Sequence, residues 1–106
     1  MCSICGAADF HFWGCPDTQN MNAVMKRRGP DQSGGYKARK VSLGHNRLSV
    51  IDPENGRQPL TVSHCGVTYT IVYNGEIYNA SELTEELARA GAVFRTRCDT
   101  EVVLWA

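Results

Sequence analysis

Hydrophobic positions along this chain switch between a period near two and a period near four residues, and each switch marks an element. Residues 2–8, Cys-Ser-Ile-Cys-Gly-Ala-Ala, read as a short strand of small residues suited to burial. Pro16, Asp17 and Thr18 offer a helix start. Met21, Val24, Met25 and Arg28 then recur at helical spacing until Gly29-Pro30 ends the run. The interrupted apolar segment from Val41 to Val50 predicts a strand with a turn around Gly44, and Pro53, Asn55 and Gly56 predict a loop. Val67 to Tyr73, rich in β-branched and aromatic residues, carries the strongest strand pattern. It runs into Asn74-Gly75, a pair that often closes a hairpin. A helix is predicted over roughly 80–90, with Leu83 and Leu87 on its inner face. Asn79 or Ser81 would cap it, Asn79 and Glu82 having capping-box spacing, and Gly91 suits the C′ position. A brief strand near Ala92–Arg95 follows. A new apolar pattern, Val102 to Ala106, then meets the chain end without turn, cap or polar tail, as expected of an N-terminal fragment.

Composition narrows the class more than the fold. A length of 106 residues allows one small domain at most. The apolar fraction of 42% and charged fraction of 21% are those of an ordinary globular chain. Eleven basic and eleven acidic residues cancel, so no electrostatic footprint points to nucleic acid or to an anionic membrane. Lys26-Arg27-Arg28 is too short to supply one. No apolar run reaches membrane-spanning length, and no signal peptide opens the chain, so a cytoplasmic protein is expected. The five cysteines are an odd number and need not pair in a reducing compartment. Asn79-Ala80-Ser81 matches the glycosylation acceptor, a chance match without a secretory signal.

The chemistry begins at Cys2. Removal of Met1 would leave it with a thiol and a free α-amine, and an α-amine with a pKa of roughly 7.7–8.0 can take the thiol proton near neutrality. Hydrolysis of an amide by such a nucleophile needs donors for the developing oxyanion. Asn74-Gly75, directly after a strand, offers a side-chain amide and a backbone N–H, and glycine admits a substrate to close approach. Arg47 is the candidate for a substrate carboxylate, and Glu76 and Asp99 for an ammonium group. Each has a plain structural reading as well: a turn, a solvated charge, and a cap for a helix starting at Thr100.

Together these residues fall into six blocks: Met1–Gly6, Arg28–Asp31, Gly44–Asp52, Gln58–Leu60, Tyr73–Asn79 and Asp99–Glu101. In order and content the blocks resemble the glutaminase domain of class II glutamine amidotransferases, and among these the asparagine synthases most closely. The stretch between Gly6 and Arg28, with His11, Trp13 and Cys15, is short and polar for that family. The resemblance implies an α+β fold, the α/β/β/α sandwich of N-terminal nucleophile hydrolases, with about half of it present in residues 1–106. It implies that Cys2 attacks the side-chain amide of L-glutamine while Asn74 and Gly75 form the oxyanion hole. Arg47 would hold the α-carboxylate with help from Leu48, Ser49, Val50 and Ile51, and Glu76 and Asp99 would receive the α-ammonium. Arg28-Gly29-Pro30-Asp31 would shape the loop near the nucleophile. Ammonia would pass to a synthetase domain in cis, absent here, that uses ATP and magnesium to activate aspartate. No cofactor or metal is expected in this segment, and a homodimer is compatible with the family.

Two other readings stand beside it. Cys2-x-x-Cys5 with Cys15 and either His11 or His64 could be arranged as a zinc module, although no second CxxC knuckle is present. A thioredoxin-like redox pair would need the CxxC at a helix start, not inside the first strand. A catalytically inactive fragment is the remaining alternative. Retention of Cys2, Arg47, Asn74 and Asp99 together speaks against it.

Overall fold

The computed structural model describes residues 2–11, 14 and 16–106; Met1, Phe12, Trp13 and Cys15 lie outside the described residues. An antiparallel three-stranded sheet carries the first half of the chain. Its strands are β1 (Ser3–Ala8), β2 (Gln32–Lys37) and β3 (Val41–Arg47), in the order β1-β3-β2. Helix α1 (Gln19–Val24) and a 3-10 turn (Lys26–Arg28) lie between β1 and β2 and pack on the sheet. A second sheet is the hairpin of β4 (Leu60–His64) and β5 (Val67–Ile71). Helices α2 (Ala80–Arg89) and α3 (Asp99–Trp105) complete the chain, α3 packing against α2 and the hairpin.

Register assigns the two faces of the first sheet. Ser3, Asn46 and Ser33 stand opposite one another, as do Ile4, His45 and Gly34 one row away. Alternation therefore turns the Asn46 row towards α1 and the His45 and Arg47 rows away from it. The interface under α1 is polar. Asn46, 1% exposed, donates to the Asn22 carbonyl at 2.7 Å and to the Ser3 hydroxyl at 3.2 Å, and accepts from Ser33 at 2.7 Å. Thr18 and Ser42 share a hydroxyl contact at 2.9 Å. Buried polar groups persist only when so paired, which is why a small-residue strand suffices here.

Several expectations change. No turn interrupts β3 at Gly44, which pairs with both Cys5 and Gly35. A Cβ there would lie 2.6 Å from the Cys5 sulfur, so this glycine serves close packing. The sequence pattern predicts neither β2 nor β4. In β2 the Gly34-Gly35 pair masks the strand pattern, and Gly34 is needed because a Cβ would clash with the Gln58 carbonyl. The hairpin closes at Cys65-Gly66, both at positive φ (50° and 77°), rather than at Asn74-Gly75. The helix over 80–90 is present, but Asn79 makes no side-chain cap bond and the capping box does not form. Its other end fits: Gly91 at φ 105° lets Ala92 N–H reach the Leu87 carbonyl and Gly91 N–H the Ala88 carbonyl, the Schellman pattern. Ala92–Arg95 forms no strand. The N–H groups of Arg95 and Thr96 go instead to the Glu101 carboxylate at 2.7–3.1 Å. Helix α3 begins at Asp99 itself, with Cys98 as its N-cap residue and no side-chain cap bond, so Asp99 is not the cap. The terminal apolar pattern is the inner side of this helix, where Val102 is 4% exposed.

Candidate active site

A cleft of about 480 Å³ opens where the end of β3, the loop after it, the segment following β5 and the start of α3 meet. Cys2, Arg47, Asn74, Gly75, Glu76 and Asp99 all line it, drawn from stretches nearly a hundred residues apart. Leu48, Val50 and Ile51 add apolar wall. Ser49 does not. Its N–H turns to the Asp31 carboxylate at 2.7 Å, so it anchors the Arg28–Asp31 loop. Gly29 lets that loop lie against β3, since a Cβ would sit 2.3 Å from the Asn46 carbonyl.

Cys2 is half-buried just before β1, where the neighbouring strand end holds it: Leu48 N–H donates to Sγ at 3.4 Å and Sγ lies 3.7 Å from the Leu48 carbonyl. Cys5 points elsewhere, under α1 at 3.8 Å from the Thr18 carbonyl. Burial pushes the Cys5 thiol above its ordinary pKa, opposed by hydrogen bonds involving Thr18 and Gly44. The two sulfurs of the CxxC thus serve different sites. Among the described residues no group of three or more His, Cys, Asp or Glu side chains comes together to hold a metal ion; Cys15, named for the zinc reading, is outside them.

Arg47 is 4% exposed. Its Nη1 donates to Gln32 Oε1 and the Pro53 carbonyl, both at 3.1 Å, and its Nη2 to the carbonyls of Ile51 (2.5 Å) and Asp52 (2.8 Å). The fork that could grip a carboxylate is therefore occupied in holding the loop 51–53 in place. All these partners are neutral, and among the described residues Arg47 makes no ion pair. The negative charge it feels is the Asp52 carboxylate, which Arg47 helps to keep ionised without a direct ion pair. Asp52 stands in the left-handed region at φ 46°, which turns its carbonyl towards Arg47, and its carboxylate takes the N–H groups of Arg97 and Asn55. Those bonds, the Arg97 N–H foremost, hold the Asp52 carboxyl below its usual pKa.

The cleft also carries negative charge. Asp99 accepts Ile77 N–H at 3.0 Å and lines the cleft with Glu76. Burial raises the Tyr73 phenol above its ordinary pKa, and the carboxylates of Asp99 and Glu76 raise it further. The Tyr73 ring covers Gly75 so closely that a Cβ there would lie 2.5 Å from its hydroxyl. A larger residue at 75 would push the Tyr73 ring out of this position. The cleft is thus lined by a cation, two carboxylates, a thiol and the Asn74 amide, offering both signs of charge to a zwitterion.

Four other residues shape the site without having been given a part by the sequence. His45, 1% exposed, meets the Tyr73 carbonyl at 3.2 Å; burial holds its pKa down, the Tyr73 bond opposing and Arg47 adding. Gln58 accepts Tyr73 N–H at 2.6 Å. Cys98 is buried with its sulfur 3.3 Å from the Ile51 carbonyl, and burial pushes its thiol up so that it stays protonated. Glu101, 1% exposed, folds the 95–97 loop onto α3 and so aims Cys98 and Asp99. His45, Gln58 and Glu101 all stand inside the quoted blocks.

The sequence pattern of the glutamine amidotransferase domain matches residues 1–106, the whole chain. The chain belongs to that family. It is 43% identical over 98% of its length to asparagine synthetase [glutamine-hydrolyzing] 3 of Bacillus subtilis, and 50% identical over 81% to asparagine synthetase [glutamine-hydrolyzing] 1 of the same organism. A probable asparagine synthetase of Dictyostelium discoideum is 37% identical over 80% of the chain. The chain spans only 17%, 13% and 15% of these relatives' own lengths. Within the described residues the fold is α+β with antiparallel sheets, as expected, and no helix is long and apolar enough to cross a membrane.

Proposed function

We propose that this glutamine amidotransferase domain hydrolyses L-glutamine to glutamate and ammonia in the cleft, with Cys2 as the nucleophile once Met1 is removed. The observation that carries the reading is the gathering of Cys2, Arg47, Asn74, Gly75, Glu76 and Asp99 around one space. In this reading the α-ammonium of glutamine sits against Glu76 and Asp99, and its α-carboxylate faces the side of the cleft where Arg47 is buried. Contact comes through the Leu48–Ile51 wall rather than through a free guanidinium fork, whose Nη donors are already engaged.

The α-amine of Cys2 takes the thiol proton, and Sγ attacks the side-chain carbonyl carbon. The carbonyl oxygen becomes an oxyanion that accepts from the Asn74 side-chain amide and the Gly75 N–H. Collapse expels the nitrogen, which leaves as ammonia with the proton held on the α-amine, and a γ-glutamyl thioester remains on Cys2. Water, deprotonated by the same amine, attacks the thioester, giving glutamate and the restored thiol. Donors of this kind are worth about 10²- to 10³-fold in rate each.

The wider reading follows the relatives. The half-sandwich of an N-terminal nucleophile hydrolase would be completed by further chain, and ammonia would pass to a synthetase domain that makes asparagine in the cytoplasm, in a homodimer or otherwise. ATP and magnesium belong to that domain in our reading, and no step on the present chain runs through them. The direct test is labelling by a diazo-ketone analogue of glutamine, read by mass spectrometry. A single adduct on Cys2, suppressed by L-glutamine and lost in Cys2→Ala, is expected. Labelling of Cys65 or Cys98 with Cys2 untouched would overturn the proposal. Zinc retained after dialysis would favour the metal-module reading.

A further inference from the structure

Gln58 lines the cleft and is 7% exposed, yet the chemistry above leaves it no part. Its side-chain amide spans two elements. Oε1 accepts the N–H of Tyr73 at 2.6 Å, and Nε2 donates to Thr100 Oγ1 at 3.1 Å. On the opposite edge of the same residue, the Tyr73 carbonyl meets His45 Nε2 at 3.2 Å. Tyr73 lies beyond the last ladder pair of the hairpin, Leu60 with Ile71, so no partner strand fixes its backbone. Two side chains do so instead, immediately before Asn74 and Gly75. The far end of that segment is tied as well, by Ile77 N–H to the Asp99 carboxylate at 3.0 Å. Thr100 and Asp99 are neighbours in the first turn of α3.

We propose that Gln58 is the positioning residue of the oxyanion site, setting the backbone that carries Asn74 and Gly75 and coupling it to the helix that carries Asp99. This rests on the glutamine-hydrolysing reading. A primary amide suits the task because it offers an acceptor and a donor at one tip without charge. A glutamate would supply acceptors only and place a negative charge beside the developing oxyanion; a methionine of similar length supplies neither bond.

The test uses the full chain and the γ-(4-nitroanilide) of L-glutamate, following release of nitroaniline in a single turnover. Alkylation of Cys2 by iodoacetamide, which needs no oxyanion site, runs in parallel. In Gln58→Met, acyl transfer is expected to slow about 10- to 100-fold, the scale of a misplaced catalytic donor. Half-saturation should stay within about threefold, since the loss falls on the transition state. Alkylation should proceed at the wild-type rate. Thr100→Val removes only the α3 end of the bridge and should slow acyl transfer several-fold; it carries the test by itself where Gln58→Met does not fold. Wild-type acyl transfer in these variants would overturn the inference, as would equal losses in acyl transfer and alkylation. A parent chain that neither releases nitroaniline nor shows protection of Cys2 by glutamine would overturn the glutaminase reading, and this inference with it.

Discussion

The two sheets are built on opposite economies of burial. In the first, β3 is flanked on both sides, and four of its last residues, Gly44 to Arg47, are buried. In the second, the hairpin is open on most of its surface, with Val67, Thr68 and Tyr69 exposed. Both deliver residues to the cleft, but differently. The first sheet supplies Arg47 from its central strand, within the ladder opposite Gln32, and Cys2 from the residue just before β1, where Leu48 at the end of the neighbouring strand holds its sulfur. The hairpin supplies the Tyr73–Glu76 segment from beyond its last pair, held by single side chains reaching across. One region is rigid through redundancy. The other depends on a few bonds, so a change there should reach the site before it reaches stability.

The comparison can be broken most forcefully at Asn46. Asn46→Ala would leave the Asn22 carbonyl and the Ser33 hydroxyl without their buried partner. A loss of about 3 kcal/mol is expected in urea unfolding. A loss below about 1 kcal/mol would mean that the first sheet is not held by this network.

His45, between the two regions, gives an intermediate effect with a sign fixed by its burial. Its folded pKa lies below the ordinary value, so the unfolded chain binds the proton first as pH falls. Stability should therefore drop on acidification from about pH 6.5, where an exposed imidazole titrates, and recover as pH rises. His45→Gln should flatten that stretch of the profile, measured by thermal unfolding in a pH series. An unchanged profile would place the protonation elsewhere. The smallest effect is expected in the hairpin. The Thr61 and Thr70 hydroxyls meet at 3.0 Å on an exposed face, and Thr61→Val should shift stability by no more than about 0.5 kcal/mol.

The elements that the sequence made legible are those with local signals. The helix over 80–90 shows both its 3.6-residue stripe and its Gly91 terminator, and β1 and β5 show their strand character. The signals that misled were also local. Gly44 reads as a turn only until two neighbouring strands are seen to need its missing side chain, and Asn74-Gly75 reads as a hairpin until Cys65-Gly66 is found making one. The expected site residues other than Ser49 come to one cleft because the blocks reflect chemistry. The supporting residues Gln58, His45 and Glu101 were invisible because their roles lie in contacts 15 to 42 positions away, or in a carboxylate folding its own loop. Residue type and the Gly44–Asp52 block both point Arg47 at a substrate carboxylate; its neutral carbonyl partners become visible only once the loop 51–53 is in place.

The most direct test of the central claim, that this cleft is built for a zwitterionic glutamine, is calorimetric titration of the Cys2→Ala chain, which cannot turn its ligand over. L-Glutamine should bind, N-acetyl-L-glutamine should bind at least about tenfold more weakly for want of the ammonium, and Asp99→Asn should narrow that gap. Equal affinity for the two ligands, or no binding of L-glutamine at all, would contradict the account.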